Sequence, residues 1–451
     1  MSTISHAPPR AAVLPSSELQ EAWLRAARDG RSDYNVPVAW TLDGPLDRPA
    51  LRRALRALTA RHEPLRTSLS PHGATQRVLP GDEPPELAEA DLRGDPDREC
   101  TLPRLLLQAA RRPFTLTTPP LWRALLVHLE DERHVLALVF HHAIFDGWST
   151  GVVRRDLERL LAGGGAATLP EMAVQHGDVA AWERTVRDPR AEAFWRRTLA
   201  APPAPLALPA DPRWRPVAPF RLLARPFPSV APADVAALAR LAHQRETRLS
   251  VVLRAAVIAA VAPYGDGDLV VGLLASNRRR PELQPLIGAV IDYVPLRVGL
   301  RRGTTFGGLV AAVRDASTAA DAHPLPLGRI RAAAGTGPEE RLFDVTINFM
   351  PYSRTAPPGP GAGPRWTTHP VPMDQLRPSV TREFPAAARL SHVLRTDAAG
   401  ALAGDLYANE AAFPGDALDA LGRRFARVVT ALARSPYRPV ADVTAAIDRP
   451  A

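Results

Sequence analysis

Val135-Leu136-Ala137-Leu138-Val139-Phe140-His141-His142-Ala143-Ile144-Phe145-Asp146-Gly147 is the stretch that decides how this chain is read. An apolar run of this length fits a strand buried on both faces. Two histidines end it, and a helical pattern from Trp148 to Leu161 follows. The histidines therefore stand at a strand-to-helix turn, where side chains are presented to a cavity. Imidazole is the side chain best suited to move a proton near neutral pH. Asp146 can ion-pair and fix the turn, and Gly147 gives backbone freedom where a bulkier residue clashes. Read blandly, this is a strand ending in two structural histidines and a polar turn. The spacing His-His-x-x-x-Asp-Gly favours a reactive site instead.

The chain has 451 residues, 46% of them hydrophobic. That suffices for a large core and exceeds one typical domain, which predicts two lobes. No run approaches the roughly 18 consecutive apolar residues of a membrane span. The opening MSTISHAPPR reads as a disordered tail with no apolar signal core. Cys100 is the only cysteine, which excludes an internal disulfide and a cysteine-based zinc cluster. The histidine pair lacks a third ligand at suitable spacing, so no metal is expected. Net charge is +9, and all 56 basic residues are arginine. An acidic carrier protein or nucleic acid would suit that charge. A GC-rich genome accounts for it better, since Ala, Pro and Gly are also abundant, and the arginines are scattered with no nucleic-acid motif. The expectation is a cytoplasmic monomer with no nucleic-acid and no membrane partner.

Working outward, Ser16–Ala27 reads as a Ser-capped helix and Val36–Leu42 as a strand. Leu51, Ala54, Leu55 and Leu58 recur at helical spacing in a helix from Leu46-Asp47 to Arg61, broken at Pro64. Pro103–Arg111 reads as a helix, Leu121–Leu129 with His134–Phe140 as a hairpin, and Val174–Ala200 as one or two helices. Ala201–Pro219 holds seven prolines and reads as an extended connector. The boundary is placed there, giving lobes 1–203 and 204–451. Helices follow at Ala231–Gln244, Ser250–Tyr264, Phe306–Ala320 and Ala417–Ala433. Strands follow at Leu269–Leu274, Ile291–Val298, Phe343–Phe349, Leu390–Leu394 and Ala403–Ala408. Helices and strands are mixed without strict alternation, which predicts an α+β fold of mixed α/β layers rather than a barrel.

With HHAIFDGWS placed, the chain resembles the condensation domains of nonribosomal peptide synthetases, within the chloramphenicol-acetyltransferase-like acyltransferases. The likeness runs from about Leu14 to the C-terminus. Ser17–Trp23 resembles the opening S-x-A-Q-x-R motif, with Leu19 and Ala22 departing from it. Tyr34-Asn35-Val36-Pro37 and the segment through Arg61-His62-Glu63-Pro64-Leu65-Arg66-Thr67 are similar to the second motif. Gly177–Trp182 resembles D-x-A-x-W, and Gly272–Arg297 the long N-R-x-R-x-E and I-G-x-F-V-N segment. Phe343–Asn348 resembles F-D-x-x-x-N.

The resemblance implies two acetyltransferase-like lobes meeting as a V-shaped pseudo-dimer, with a tunnel between them and His142 near its middle. It makes His142 the catalytic residue, as general base or as a group that orients the nucleophile and stabilises the tetrahedral intermediate. Gly147 N–H is a second candidate oxyanion donor. His141 is supporting, and Asp146 pairs with Arg278. No bound cofactor is implied. The donor arrives as an acyl or aminoacyl thioester on the phosphopantetheine arm of an acyl or peptidyl carrier protein. The acceptor is an amine or hydroxyl, soluble or carrier-bound, and the product an amide or ester. Two departures stand out. Asp292 replaces the usual Asn, and Val290 the usual Phe, of I-G-x-F-V-N. Asp292 is either an acceptor-channel carboxylate for a cationic amine or a tolerated, hydrogen-bonded substitution. With no carrier or adenylation pattern read after the condensation-like region, the expectation is a free-standing member of the family.

Two alternatives stay open. One is a CoA- or carrier-dependent O-acyltransferase of the same fold. The other is a non-catalytic module that recruits carrier proteins, against which the intact HHxxxDG argues. The extra acidic motif of epimerisation relatives is absent, and cyclisation relatives carry aspartates in place of both histidines.

Overall fold

Local signals in the sequence set most element boundaries. The computed structural model describes residues 12–26, 34–70, 72, 74–165, 168–210, 222–337, 340–350, 364–371, 388–397, 399–410, 412–413 and 416–448. The N-terminal tail and 211–219 of the proline-rich connector lie outside them. Two compact units divide the chain. One comprises Met1–Val186, Ser276–Ile291 and Thr355–Pro378, and the other Arg187–Ala275, Asp292–Arg354 and Ser379–Ala451.

In the first unit, strand β1 (Ala12–Pro15) precedes helix α1 (Glu18–Ala26). Ser17 and Gln20 form a capping box: Ser17 Oγ accepts from Gln20 N at 3.1 Å, and Gln20 Oε1 from Ser17 N at 2.9 Å. Strand β2 (Asn35–Asp43) leads to α2 (Arg48–Arg61), capped by Asp47 and burying Leu51, Ala54, Leu55 and Leu58 as the spacing predicts. Short strands β3 (Thr67–Leu69) and β4 (Thr75–Val78) join β1 in a three-stranded sheet. Strand β5 (Leu87–Asp91), helix α3 (Arg98–Arg111), strands β6 (Trp122–Glu130) and β7 (Arg133–His141), then helices α4 (Gly147–Arg159) and α5 (His176–Thr185) follow. Strands β6 and β7 pair as the expected antiparallel hairpin. The central sheet has the order β12-β2-β7-β6-β5, its edge strand β12 (Arg365–Thr368) coming from late in the chain.

In the second unit the order is α6 (Pro189–Thr198), β8 (Leu222–Pro226), α7 (Pro232–Gln244), α8 (Leu249–Val261), β9 (Asp268–Ala275), β10 (Asp292–Gly299), α9 (Phe306–Ala322), α10 (Leu327–Ala334), β11 (Val345–Met350), β13 (Leu390–Thr396), β14 (Leu402–Asn409) and helices Ala417–Arg434 and Val440–Asp448. Six strands form one mixed sheet, β10-β9-β11-β13-β14-β8, with β11 parallel to β9 and β13 and the other pairs antiparallel. Helix α8 is apolar all round and lies buried from Val251 to Val261 save Arg254, as a helix central to a core must. The fold is the expected mixture of helices and open sheets, without a barrel.

The division into units differs from the expected one at Pro203/Ala204. It falls at Val186/Arg187 because α6 belongs with the later chain. Trp195 Nε1 donates to His323 O at 2.8 Å, and Arg329 pairs with Glu192 at 2.9 Å. Neither unit is continuous. Ser276–Ile291 joins the first unit through Arg278, and β12 joins it by antiparallel pairing with β2 from Arg365↔Asp43 to Thr368↔Trp40. Trp366 then packs edge-on to Trp40 at 5.6 Å.

Candidate active site

Strand β7 delivers the histidines. Its residues 134–141 are all buried, so the chain leaves the sheet at a fixed point. His141 N donates to Leu121 O and His142 N to Tyr34 O, both at 2.8 Å. A 3-10 turn, His142–Ile144, comes next. The buried His141 caps it, Nδ1 accepting from Ala143 N at 3.1 Å. Because Nδ1 accepts, the neutral ring carries its proton on Nε2. Burial, then the neighbouring His142, hold the His141 pKa down at about 3. His141 is thus a neutral structural imidazole.

His142 stays half-buried. Its ring stacks on buried Trp23 of α1, with centroids 4.8 Å apart and planes 25° apart. Burial lowers its pKa, outweighing the Asp146 charge and the nearby carbonyl oxygens of His142 itself and Phe145, which favour the proton. Those carbonyls approach without a hydrogen bond of good geometry, and Nδ1 is closed in. A neutral imidazole with its Nδ1 side enclosed and part of its surface open can accept a proton.

Asp146 caps α4 and is completely buried. Its Oδ1 accepts from Ser149 N at 3.0 Å, Ser149 Oγ at 2.8 Å and Arg278 Nη2 at 3.1 Å. Its Oδ2 accepts from Arg278 Nη1 at 2.6 Å and Val290 N at 3.2 Å. The two-pronged guanidinium–carboxylate contact is the geometry that makes a buried pair tolerable. Arg278 Nη2 reaches Gly288 O at 3.0 Å as well, and Gly288 N donates to Ser149 Oγ at 3.1 Å. Arg278 follows Asn277, whose φ of 51° lies in the left-handed region that Asn tolerates. Asp146 and Arg278 therefore clamp the Ser276–Ile291 loop beneath the start of α4.

The structure brings His141, His142, Asp146, Gly147 and Arg278 together in one unit, and it sets two expectations apart. Gly147, the first residue of α4, does not occupy the left-handed region, and a Cβ there meets nothing within 4 Å. Local structure does not demand glycine. Asp292 begins β10 in the second unit. Its Oδ1 accepts from Tyr293 N and its Oδ2 from Leu327 N, each at 2.7 Å. The carboxylate ties β10 to the start of α10. Among the described residues no group of three or more His, Cys, Asp or Glu is arranged to hold a metal, and no single helix is long and apolar enough to cross a membrane.

Sequence reasoning passed over Ser149, Gly288 and His176. Ser149 sits three residues after an Asp cap, a signal that was available. Gly288 (φ +155°) lies against buried His176, and a Cβ there would approach its Cδ2 to 2.5 Å. His176 Nε2 lies 3.4 Å from Ala289 O, and burial holds its pKa at about 4. No local pattern connects positions so far apart in the chain.

The sequence profile of the Condensation domain matches residues 11–449. The chain belongs to the condensation-domain family. Among curated relatives, this condensation domain is 34% identical over 437 residues to the phosphinothricin tripeptide synthetase PhsC of Streptomyces viridochromogenes, covering 90% of the chain and 38% of the synthetase. It also matches a linear gramicidin synthase subunit of Brevibacillus parabrevis at 34% identity over 64% of the chain and 6% of that protein. The chain thus spans well under half the length of these synthetases. Among solved structures it is similar to the X-domain from teicoplanin biosynthesis, with a TM-score of 0.78, 26% identity and coverage of 98% of this chain and 99% of that one. The SgcC5 protein of Streptomyces globisporus shares the fold, with a TM-score of 0.76, 24% identity and coverage of 94% and 100%.

Proposed function

We propose that this chain catalyses acyl transfer from a carrier-bound phosphopantetheine thioester to an amine or hydroxyl, forming an amide or ester in nonribosomal peptide biosynthesis. The observation that carries the reading is the intact His142 site. The imidazole is biased towards its neutral form, packed on Trp23, and set on a turn locked by Asp146 and Arg278.

In this reading His142 takes the proton of the attacking amine or hydroxyl as the new bond to the thioester carbon forms. The tetrahedral oxyanion is met by an N–H donor, for which the Gly147 backbone at the start of α4 is the candidate. Collapse expels the thiolate of the arm, and His142 returns the proton to it. A thioester is already activated, so holding the reactants in place supplies much of the rate. The phosphopantetheine arm is substrate here, and the acceptor is soluble or carrier-borne.

The test is the intact mass of products from a loaded carrier with a panel of amines and alcohols, using hydroxylamine to separate ester from amide. His142→Ala is expected to cut turnover ~10²–10⁴-fold while melting like the wild type. Near-normal turnover would remove His142 from the chemistry. The likeness to the X-domain solved in complex with OxyB favours one second reading, a recruiting module. Carrier binding without turnover of any donor would select it.

A further inference from the structure

His142 lacks the support that usually orients a catalytic imidazole. In a triad, a carboxylate accepts from the far ring nitrogen, fixes the tautomer and balances the cation that forms. Here Nδ1 finds no hydrogen-bond partner of good geometry among the described residues. The carboxylate of the same turn, Asp146, is already occupied, both oxygens serving Ser149, Arg278 and Val290. His141 is neutral, and its Nδ1 is taken by Ala143 N. What meets the His142 ring is an aromatic face.

Trp23 is fully buried, and its ring lies 4.8 Å from the imidazole with 25° between the planes. That is within the roughly 6 Å over which an aromatic face attracts a cation. Contacts at both ends keep the indole in place. Gln20 Nε2 pins the start of α1 by donating to Gln76 Oε1 at 3.1 Å, and Arg184 donates to Ser16 O at 3.0 and 2.7 Å. On the ring side, Tyr34 packs against Trp23 at 4.5 Å, tilted by 56°. The Tyr34 carbonyl also accepts from His142 N, so indole and imidazole are fixed to one frame. The titratable groups around His142 are Asp146 on the α4 cap, His141 on β7 and Tyr34 just before β2. Helix α1 turns an uncharged ring to it. Packing at this position asks only for apolar bulk, whereas a face that attracts positive charge requires an aromatic ring, indole best of all.

We propose that Trp23 is the positioning residue of His142: its face fixes the imidazole plane and stabilises the imidazolium present while the proton is in transit. The inference rests on the reading of His142 as general base. The contact strengthens as charge appears on the ring, so it favours the transition state over the resting state. The same attraction works at rest against the burial that disfavours the cation.

Trp23→Leu changes bulk as well as charge, so the test keeps the shape. Tryptophan carrying one, two or three ring fluorines, placed at position 23 alone in the full chain, draws charge from the indole face while keeping its outline. The expected result is a stepwise fall in kcat, about tenfold by the third fluorine, with KM for donor and acceptor unchanged. The acid limb of kcat/KM should move to lower pH in the same order, because a weaker face holds the cation less. A magnetic-resonance titration of ring-labelled histidine, with the His142 signal assigned by its loss in His142→Ala, should follow the same order without any turnover. The same fluorines at buried Trp40 should move none of these. A flat series at Trp23, or an equal fall at Trp40, overturns the proposal. A His142 titration that follows the fluorines, with no turnover of any donor, would sustain the stack and overturn the catalytic reading. A flat series alongside turnover lost in His142→Ala would do the reverse.

Discussion

Asp146 carries five hydrogen bonds on two oxygens, and Arg278 supplies the only charge that balances it within bonding distance among the described residues. Removing either partner leaves the other as a buried charge. Asp146→Ala and Arg278→Ala should each cost about 3–5 kcal/mol, read from denaturant midpoints, and the double variant should be no worse than the worse single one. Additive losses would show that the two act separately. His142 makes a different prediction. A general base must be neutral, and burial lowers the pKa of this one. The acid limb of kcat/KM should therefore fall below pH 6.5, with a plateau through neutrality, and should vanish in His142→Ala. A limb centred at or above 6.5 would contradict the assignment. For Asp292 the sequence left two readings, and the geometry favours the structural one. Asp292→Asn keeps one acceptor oxygen for two N–H groups, so it should cost about 1 kcal/mol and leave acceptor ranking and the pH profile as in the wild type. A changed ranking would return Asp292 to the acceptor channel.

At the scale of elements, glycines separate architecture from approach. Gly288→Ala forces an L side chain into a φ of +155° and against His176. Backbone strain alone is worth about 1–3 kcal/mol, with crowding added. Gly147→Ala meets open space and should melt like the wild type. If a reactant approaches the start of α4, its kcat/KM should drop about tenfold with no loss of stability. Unchanged kinetics would show that nothing approaches there. These glycines also mark the limit of what the sequence tells. Amphipathic spacing reveals α2, the apolar run reveals β7, and the Asp-x-x-Ser cap fixes the start of α4. Each is a local property. Gly288 against His176 is a contact between distant segments, and no local pattern records it. Strand β12 was missed for the same reason. Four residues carry little signal alone and become a strand by pairing with β2. The proline-rich stretch drew the boundary towards Ala201, while Trp195 and Glu192 had already committed α6 to the second unit.

The whole molecule carries several buried imidazoles that resist protonation. His141 and His392 titrate at about 3 and His176 at about 4, each mainly because burial disfavours the cation. Unfolded histidines take up protons below about 6.5. Their contribution is therefore fully present above that pH and is lost as pH falls through 6.5 towards the native values. Each removes about 1.4 kcal/mol per pH unit across that window. Denaturant unfolding from pH 7.5 to 5 should show an uptake that rises to about three protons from these rings alone, with His62 and His142, whose pKa values burial also lowers, adding to it. If the units unfold in separate steps, the one holding His141 and His176 should be the more acid-sensitive. A midpoint that does not move over this range would mean that these rings are already cationic in the native protein.

The discontinuity of the first unit bears on how the chain is made and how it can be cut. A ribosome releases Asp146 long before Arg278, and releases β2 long before the strand that covers its edge. The nascent N-terminal half must therefore wait with an unmatched carboxylate and an open sheet edge, the two features that most invite wrong partners. A fragment ending at residue 203 would keep both defects permanently. Split-protein designs and truncations aimed at the histidine half should instead carry Ser276–Ile291 and Arg365–Thr368 with it.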